Sequence, residues 1–179
     1  MKCKMGYKGR EAELIDLFTA TFAASEGEQE GALIGQLMRR LLGATPDKDL
    51  FVFTAEDDGT IVGGIVFSRL SYDQDERTVF VLAPVAVAPD QQGKGIGQKL
   101  LSHGLAALRS AGIDVAMTYG DPRFYAKVGF MPISEADAPA PFALNHPEGW
   151  LAQALTEHAL TPLRGPSRCV EALNDPIFW

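Results

Sequence analysis

The sequence predicts an α/β fold of the α+β kind, with a mixed, mostly antiparallel central sheet and helices packed on it. Three observations predict this. Two helical patterns open the chain, a meander of strands follows, and then a strand turns through glycines into a helix and another strand. The 179 residues suit one domain, and 46% hydrophobic with 22% charged residues is an ordinary globular composition.

Lys2–Met5 reads as a short opening strand. Between Gly9 and Ala24, the residues Leu14, Ile15, Leu17, Phe18 and Phe22 recur at helical spacing. Ser25, with Glu28 three residues on, has the pattern of an N-cap for a second helix. In that helix Leu33, Ile34, Leu37, Met38, Leu41 and Leu42 form one apolar stripe, and Gly43 is placed to end it. Leu50–Ala55 reads as a strand, Asp57-Asp58-Gly59 as a tight turn, and Ile61–Leu70 as the hairpin partner. Ser71–Glu76 reads as a polar, acidic turn and Thr78–Ala88 as the third strand. Pro84 in that strand has no N–H for a ladder, which places a bulge or an unpaired edge there.

After a glycine turn, a helix runs to about Ser110 with Ile96, Leu100, Leu101, Leu105 and Leu108 on one face, and Gly112 ends it. Val115–Tyr119 reads as a short buried strand. Asp121 is placed to cap a short helix with Pro122 at its first position. This helix carries Phe124, Tyr125 and Val128 and stops at Gly129-Phe130. The proline-bearing stretch Ser134–Pro147 reads as loop, and Trp150–Leu155 and Val170–Leu173 read as further strands.

The net charge of −7 argues against nucleic acid as the main partner, because phosphate binding needs a basic surface. It is compatible with a cationic substrate, although such charge commonly serves solubility. No apolar run approaches the roughly 20 residues of a membrane span, and the lysines near Met1 have no apolar stretch behind them. A cytoplasmic protein is therefore expected. Cys3 and Cys169 give neither a disulfide framework nor metal-ligand spacing, so both are expected as small packed side chains and no metal is expected.

Gln92-Gly93-Lys94-Gly95-Ile96-Gly97 carries the strongest chemical signal. A strand that turns through glycines into a helix start presents free N–H groups and the positive end of the helix dipole, which suits phosphate. Gly93, Gly95 and Gly97 give G-x-G-x-G, and Gln98 stands where a dinucleotide fingerprint needs its third glycine. Lys94 is followed by Gly95, which excludes the phosphate loop of nucleotide triphosphatases. A ligand-free glycine turn is the remaining alternative, at an entropic cost for each glycine.

The stretch from Pro84-Val85-Ala86-Val87 through Gln92-Gly93-Lys94-Gly95-Ile96-Gly97 to Leu100-Leu101 resembles the acetyl-CoA-binding motif of the GNAT N-acetyltransferases, whose pattern Gln/Arg-x-x-Gly-x-Gly/Ala is met by Gln92, Gly95 and Gly97. Gly120-Asp121-Pro122-Arg123-Phe124-Tyr125-Ala126-Lys127-Val128-Gly129-Phe130 resembles the same family's second motif. The close resemblance spans residues 78–132. It implies a single domain over 1–179, with its best-supported core at 50–132 and 134–179 as a substrate or packing segment. It also implies a sheet of about six or seven strands with helices on both faces, splayed near Pro84.

The resemblance implies acetyl-CoA as cosubstrate. Its pantetheine arm would lie along the backbone of Val85, Ala86 and Val87, much like an added strand. Its pyrophosphate would lie on Gln92, Gly93, Lys94, Gly95, Ile96 and Gly97. Phe124 would line the cofactor, and Tyr125 would face the sulfur and protonate it as it leaves. A backbone N–H near Val85–Val87 would hold the thioester oxyanion. The acceptor would be a primary amine, walled by Ser25–Glu30, Ser71–Asp75 and the segment bearing Trp150.

No base stands out. Thr78–Ala88 has no acid and no histidine; Asp73, Asp75 and Glu76 just before it could act through water but read more readily as solvated turn residues; His103 reads as solvent-facing, and His146 and His158 have no assigned role. Trp150 reads more readily as core than as a substrate platform. A CoA-binding domain without catalysis, and an acyltransferase using another acyl-CoA or a hydroxyl acceptor, are the competing readings. A monomer and a homodimer fit equally.

Overall fold

The computed structural model describes residues 1–179. In chain order it contains β1 (Lys2–Met5), α1 (Glu11–Glu26), α2 (Glu28–Ala44), β2 (Leu50–Asp57), β3 (Thr60–Arg69), β4 (Ser71–Tyr72) and β5 (Val79–Val87). There follow α3 (Ile96–Ser110), β6 (Val115–Tyr119), α4 (Pro122–Tyr125), β7 (Met131–Pro132), β8 (Trp150–Ala154) and β9 (Ser167–Arg168). Seven strands pair in the order β1-β2-β3-β5-β6-β8-β7, and β4 pairs with β9. Pairing is antiparallel at β1–β2, β6–β8 and β7–β8 and parallel at β5–β6, which bears out the mixed sheet expected from the sequence. No helix is long and apolar enough to cross a membrane. By contact the chain forms two compact units, Met1–Phe67 with Pro84–Gly104 and Ser68–Ala83 with Leu105–Trp179.

In the first unit, adjacent glycines on β3 serve opposite faces of the strand. A Cβ on Gly64 would stand 2.8 Å from side-chain atoms of Leu14 and Phe18 on α1. One on Gly63 would stand 3.4 Å from Ile96 and Leu100 on α3. Successive strand residues alternate sides, so α1 covers one face of β3 and α3 the other. The core between them includes Leu14, Phe18, Phe53, Ile65, Phe67, Leu100 and Leu101, all fully buried.

In the second unit, β5 runs parallel to β6 from Val79↔Val115 to Leu82↔Thr118. That ladder ends two residues before Pro84, while β5 continues to Val87. At its other end Thr78 and Asp114 bond reciprocally: the Thr78 N–H donates to Asp114 Oδ2 at 2.8 Å, and the Asp114 N–H donates to Thr78 Oγ1 at 3.1 Å. Tyr119, Trp150 and Trp179 pack ring to ring, and the Trp150 Nε1–H donates to the Ala138 carbonyl at 2.8 Å. Trp150 is fully buried and therefore belongs to the core.

Several element boundaries differ from the sequence expectation. Ser25 lies inside α1 and caps nothing; Gly27, at φ 98°, closes α1 through its N–H to the Ala23 carbonyl and opens α2 by accepting from the Gly31 N–H. Only a glycine holds that backbone cheaply. Gly43 is helical, and α2 stops at Ala44 because Thr45 precedes Pro46 and is extended. Ser71–Glu76 is not wholly a turn, since Ser71 and Tyr72 pair with Arg168 and Ser167. Val170–Leu173 is no strand: the Leu173 N–H donates to the Val170 carbonyl in a 3₁₀ turn, and the strand lies three residues earlier as β9.

Candidate active site

In the first unit, β5 delivers Val85 and Val87 half-buried and Ala86 buried, ahead of a 3₁₀ turn at Pro89–Gln91. The Gln92 Nε2–H donates to the Val87 carbonyl at 3.0 Å and so folds the glycine turn back onto the strand end. Gly93 and Gly95 have φ of 76° and 77°, the left-handed region that L side chains avoid. Nothing lies within 4 Å of a Cβ built on either one, so these glycines serve backbone shape and not packing. The Gly95 carbonyl accepts the Lys99 N–H at 3.1 Å, the first helical bond of α3. The N–H groups of Ile96, Gly97 and Gln98 are thus those that helix geometry leaves without an intrahelical partner. Gln92, Gly93, Lys94 and Gly95 are exposed, whereas Ile96 and Gly97 are buried. Lys94 Nζ donates to Gln91 Oε1 at 3.0 Å and projects from the turn.

In the second unit, Asp121 caps α4 by accepting the Arg123 N–H at 2.9 Å, as its position before Pro122 predicts. Phe124 and Tyr125 follow, with ring centroids 5.0 Å apart, and Phe130 meets the Tyr125 ring edge-on at 5.8 Å. Gly120 forms the remaining wall, since a Cβ there would stand 2.6 Å from Tyr125 Cε2. Burial pushes the Tyr125 phenol above its ordinary pKa of 10, and the Thr118 hydroxyl partly offsets this. Thr118 is fully buried and donates to the Leu82 carbonyl at 3.0 Å, where the β5–β6 ladder ends. Tyr125 is therefore a protonated phenol at neutral pH, held by aromatic edges and a glycine.

The remaining titratable residues sort clearly. Asp75, expected as a solvated turn residue, is half-buried, with its side chain 4% exposed. It accepts from Arg77 Nε at 2.9 Å and Nη2 at 2.7 Å and from the Arg164 N–H at 3.2 Å. The Arg77 hydrogen bonds hold its carboxyl well below the usual range, so it makes a poor base. Asp73 is paired with Arg168 at 2.8 Å. Cys3 and Cys169 are half-buried free thiols, and burial pushes both pKa values up. His103 is exposed and meets Phe53 edge-on, and His158 is exposed. His146 lies 3.5 Å from Glu148 beside a cavity of about 410 Å³ that Gly120 also lines.

The family model for the acetyltransferase (GNAT) domain matches residues 48–132. The uncharacterized N-acetyltransferase YjhQ of Escherichia coli K12 is 30% identical over 156 residues, spanning 77% of this chain and 86% of YjhQ. The chain belongs to the GNAT family. With that membership comes the acyltransferase class expected from the two motifs. This GNAT protein also shares its fold with YhbS from Escherichia coli, solved in complex with CoA, at a TM-score of 0.77 and 23% identity over 98% of this chain and 92% of that one. A GNAT family acetyltransferase from Brucella melitensis, solved in complex with acetyl-CoA, superposes with a TM-score of 0.71 and 26% identity over 96% and 97% of the two chains.

In this GNAT protein the residues singled out from sequence fall into two groups. Val85–Val87 and Gln92–Gly97 belong to the first unit, and Phe124 and Tyr125 to the second. Sequence reading misses Gly120 and Thr118. Gly120 reads only as a turn residue, because its close approach to a ring five positions on depends on how α4 folds back. Thr118 reads only as a strand residue, and no pattern reveals that its hydroxyl meets the phenol.

Proposed function

We propose that this protein transfers the acetyl group of acetyl-CoA to a primary amine by direct attack within a ternary complex. The observation that carries this reading is the seated, protonated phenol of Tyr125. Family membership, and CoA or acetyl-CoA in the two structural neighbours, support the donor.

The turn Gln92–Gly97 receives the pyrophosphate through backbone N–H groups, which explains why shape matters there more than charge. Lys94 adds a charge at its rim. Val85, Ala86 and Val87 offer strand backbone to the pantetheine amides, and one of their N–H groups holds the oxyanion, a contribution of about 3 kcal/mol. Phe124 lines the cofactor. The amine, with an ordinary pKa of about 10.4, loses a proton and attacks the thioester carbon. The C–N bond forms, the C–S bond breaks, and the Tyr125 phenol donates to the departing sulfur. The free thiols Cys3 and Cys169 suit the reducing cytoplasm as the place of action.

Tyr125→Phe tests this reading. The ring and its aromatic contacts remain, and only the proton donor is lost. We expect kcat to fall by at least about tenfold while the affinity for acetyl-CoA, read by calorimetry, is retained. Unchanged turnover would remove Tyr125 from the mechanism.

A further inference from the structure

The loop that carries His146 is fixed against the end of β6. Its N–H donates to the Tyr119 hydroxyl at 2.6 Å, and the 3₁₀ turn Pro147–Gly149 closes with the Gly149 N–H on the His146 carbonyl at 2.9 Å. The Gly120 N–H donates to the Gly149 carbonyl at 3.0 Å. A Cβ on Gly149 would stand 2.8 Å from the Gly120 carbonyl oxygen, so the loop docks backbone to backbone. Between these pieces is the cavity of about 410 Å³, lined by Tyr119, Gly120, Asp121, His146, Glu148 and Gly149. Gly120 is also the wall against which the Tyr125 ring lies. The cavity and the Tyr125 ring thus share Gly120 as a common wall.

The charged group nearest His146 is acidic. Glu148 Oε1 lies 3.5 Å from its Nδ1, and Asp121 lines the same cavity, with Arg123 as its partner at 3.2 Å. From the neighbouring elements, the Tyr119 hydroxyl meets the His146 backbone, and the Asn145 amide is engaged with the Trp179 carbonyl oxygen at 2.7 Å. No lysine or arginine lines the cavity.

We propose that this cavity is the acceptor site, that it takes a positively charged primary amine, and that His146 receives the amine's proton with Glu148 behind it. The proposal rests on the acetyltransferase reading above and names its substrate class and base. Glu148, and to a lesser degree Asp121 because Arg123 pairs with it, attracts an ammonium group and disfavours an acceptor bearing a carboxylate. One ammonium proton passes to the imidazole nitrogen remote from Glu148, and the imidazolium is balanced by that carboxylate. The freed lone pair forms the C–N bond. As the C–S bond breaks, Tyr125 protonates the sulfur and its phenolate takes the second proton from the new amide nitrogen. His146 returns its proton to water, so the balance is one ammonium and one thioester to one amide, one thiol and one proton.

The test measures CoA thiol release with spermidine, lysine methyl ester and an aminoglycoside against glutamate and glycine, together with calorimetric binding of acetyl-CoA. His146→Gln and Glu148→Gln are both exposed changes that leave the fold in place. We expect the cationic acceptors to exceed the carboxylate-bearing ones by at least tenfold in kcat/KM. We expect His146→Gln to lose about 10²-fold in kcat/KM and the acid limb of its pH profile, with acetyl-CoA affinity unchanged. Glu148→Gln should chiefly raise KM for the amine. A wild-type rate and pH profile in His146→Gln, or a preference for anionic acceptors, overturns this proposal and leaves the acetyltransferase reading standing. Tight acetyl-CoA binding with no amine acetylated overturns both.

Discussion

In the proposed mechanism Tyr125 must hold its proton until the departing thiolate forms, and burial favours this by raising its pKa. Its seat is as important as its acidity. Gly120 is not among the glycines with positive φ, so what the position requires is space and not backbone freedom. A Cβ 2.6 Å from Tyr125 Cε2 is not tolerated, and the ring, held between Phe124 and Phe130, has to swing. Gly120→Ala should therefore reduce kcat by about tenfold or more. The same substitution made in the Tyr125→Phe background should cost little more, because both changes remove the same positioned hydroxyl. Equal losses in the two backgrounds would show that Gly120 acts on something other than the phenol. The proposed role of Tyr125 was legible in sequence because it sits in a contiguous motif. That of Gly120 was not, because it depends on a distance across a turn.

Elements with a period were legible, and those held only by a partner were not. The stripes of α1, α2 and α3 and the hairpin of β2 with β3 each carry several apolar residues at their own spacing, and all formed where expected within a few residues. β4, β7 and β9 have two residues each, too few to show any period. They exist because tertiary pairing, such as Tyr72↔Ser167 and Met131↔Ala152, satisfies their backbone. Close helix packing was likewise invisible. In α2, a Cβ on Gly31 would stand 2.7 Å from both the Ala23 Cβ and the Thr19 carbonyl oxygen, and 2.9 Å from the Ala23 nitrogen. Alanine favours a helix over glycine by about 1 kcal/mol, but these neighbours are largely backbone and cannot turn aside. Overpacking costs about 1–3 kcal/mol, which should win. Gly31→Ala should lower the urea midpoint of unfolding, and a raised midpoint would mean that α1 and α2 can separate freely.

At the scale of the whole molecule, the −7 charge hides a fixed arrangement of ion pairs that ties the far end of the chain to its middle. Asp75, in the link between β4 and β5, accepts from Arg77 and from the Arg164 N–H, while Arg77 also donates to the carbonyls of Thr161 and Pro162. Asp73 adds its pair with Arg168, next to the β4–β9 ladder. A cavity of about 830 Å³ lies along this junction, and Asp73, Asp75, Arg77 and Arg164 on its wall are engaged with one another or with their neighbours, as expected for a structural clasp. The sign of its pH dependence follows from the carboxyl. Hydrogen bonds from Arg77 hold the folded Asp75 pKa below its unfolded value of about 3.9. Its contribution is thus complete above that value and is lost as pH falls through the folded pKa. Asp75→Asn keeps the shape but loses the charged acceptor, which should cost about 1–3 kcal/mol at pH 7. Urea unfolding of both proteins at pH 7 and again near pH 3 checks this, with the gap between them expected to narrow below about pH 4. A gap of constant size across that range would mean that the clasp holds by shape alone and that the ionised carboxylate adds nothing to it.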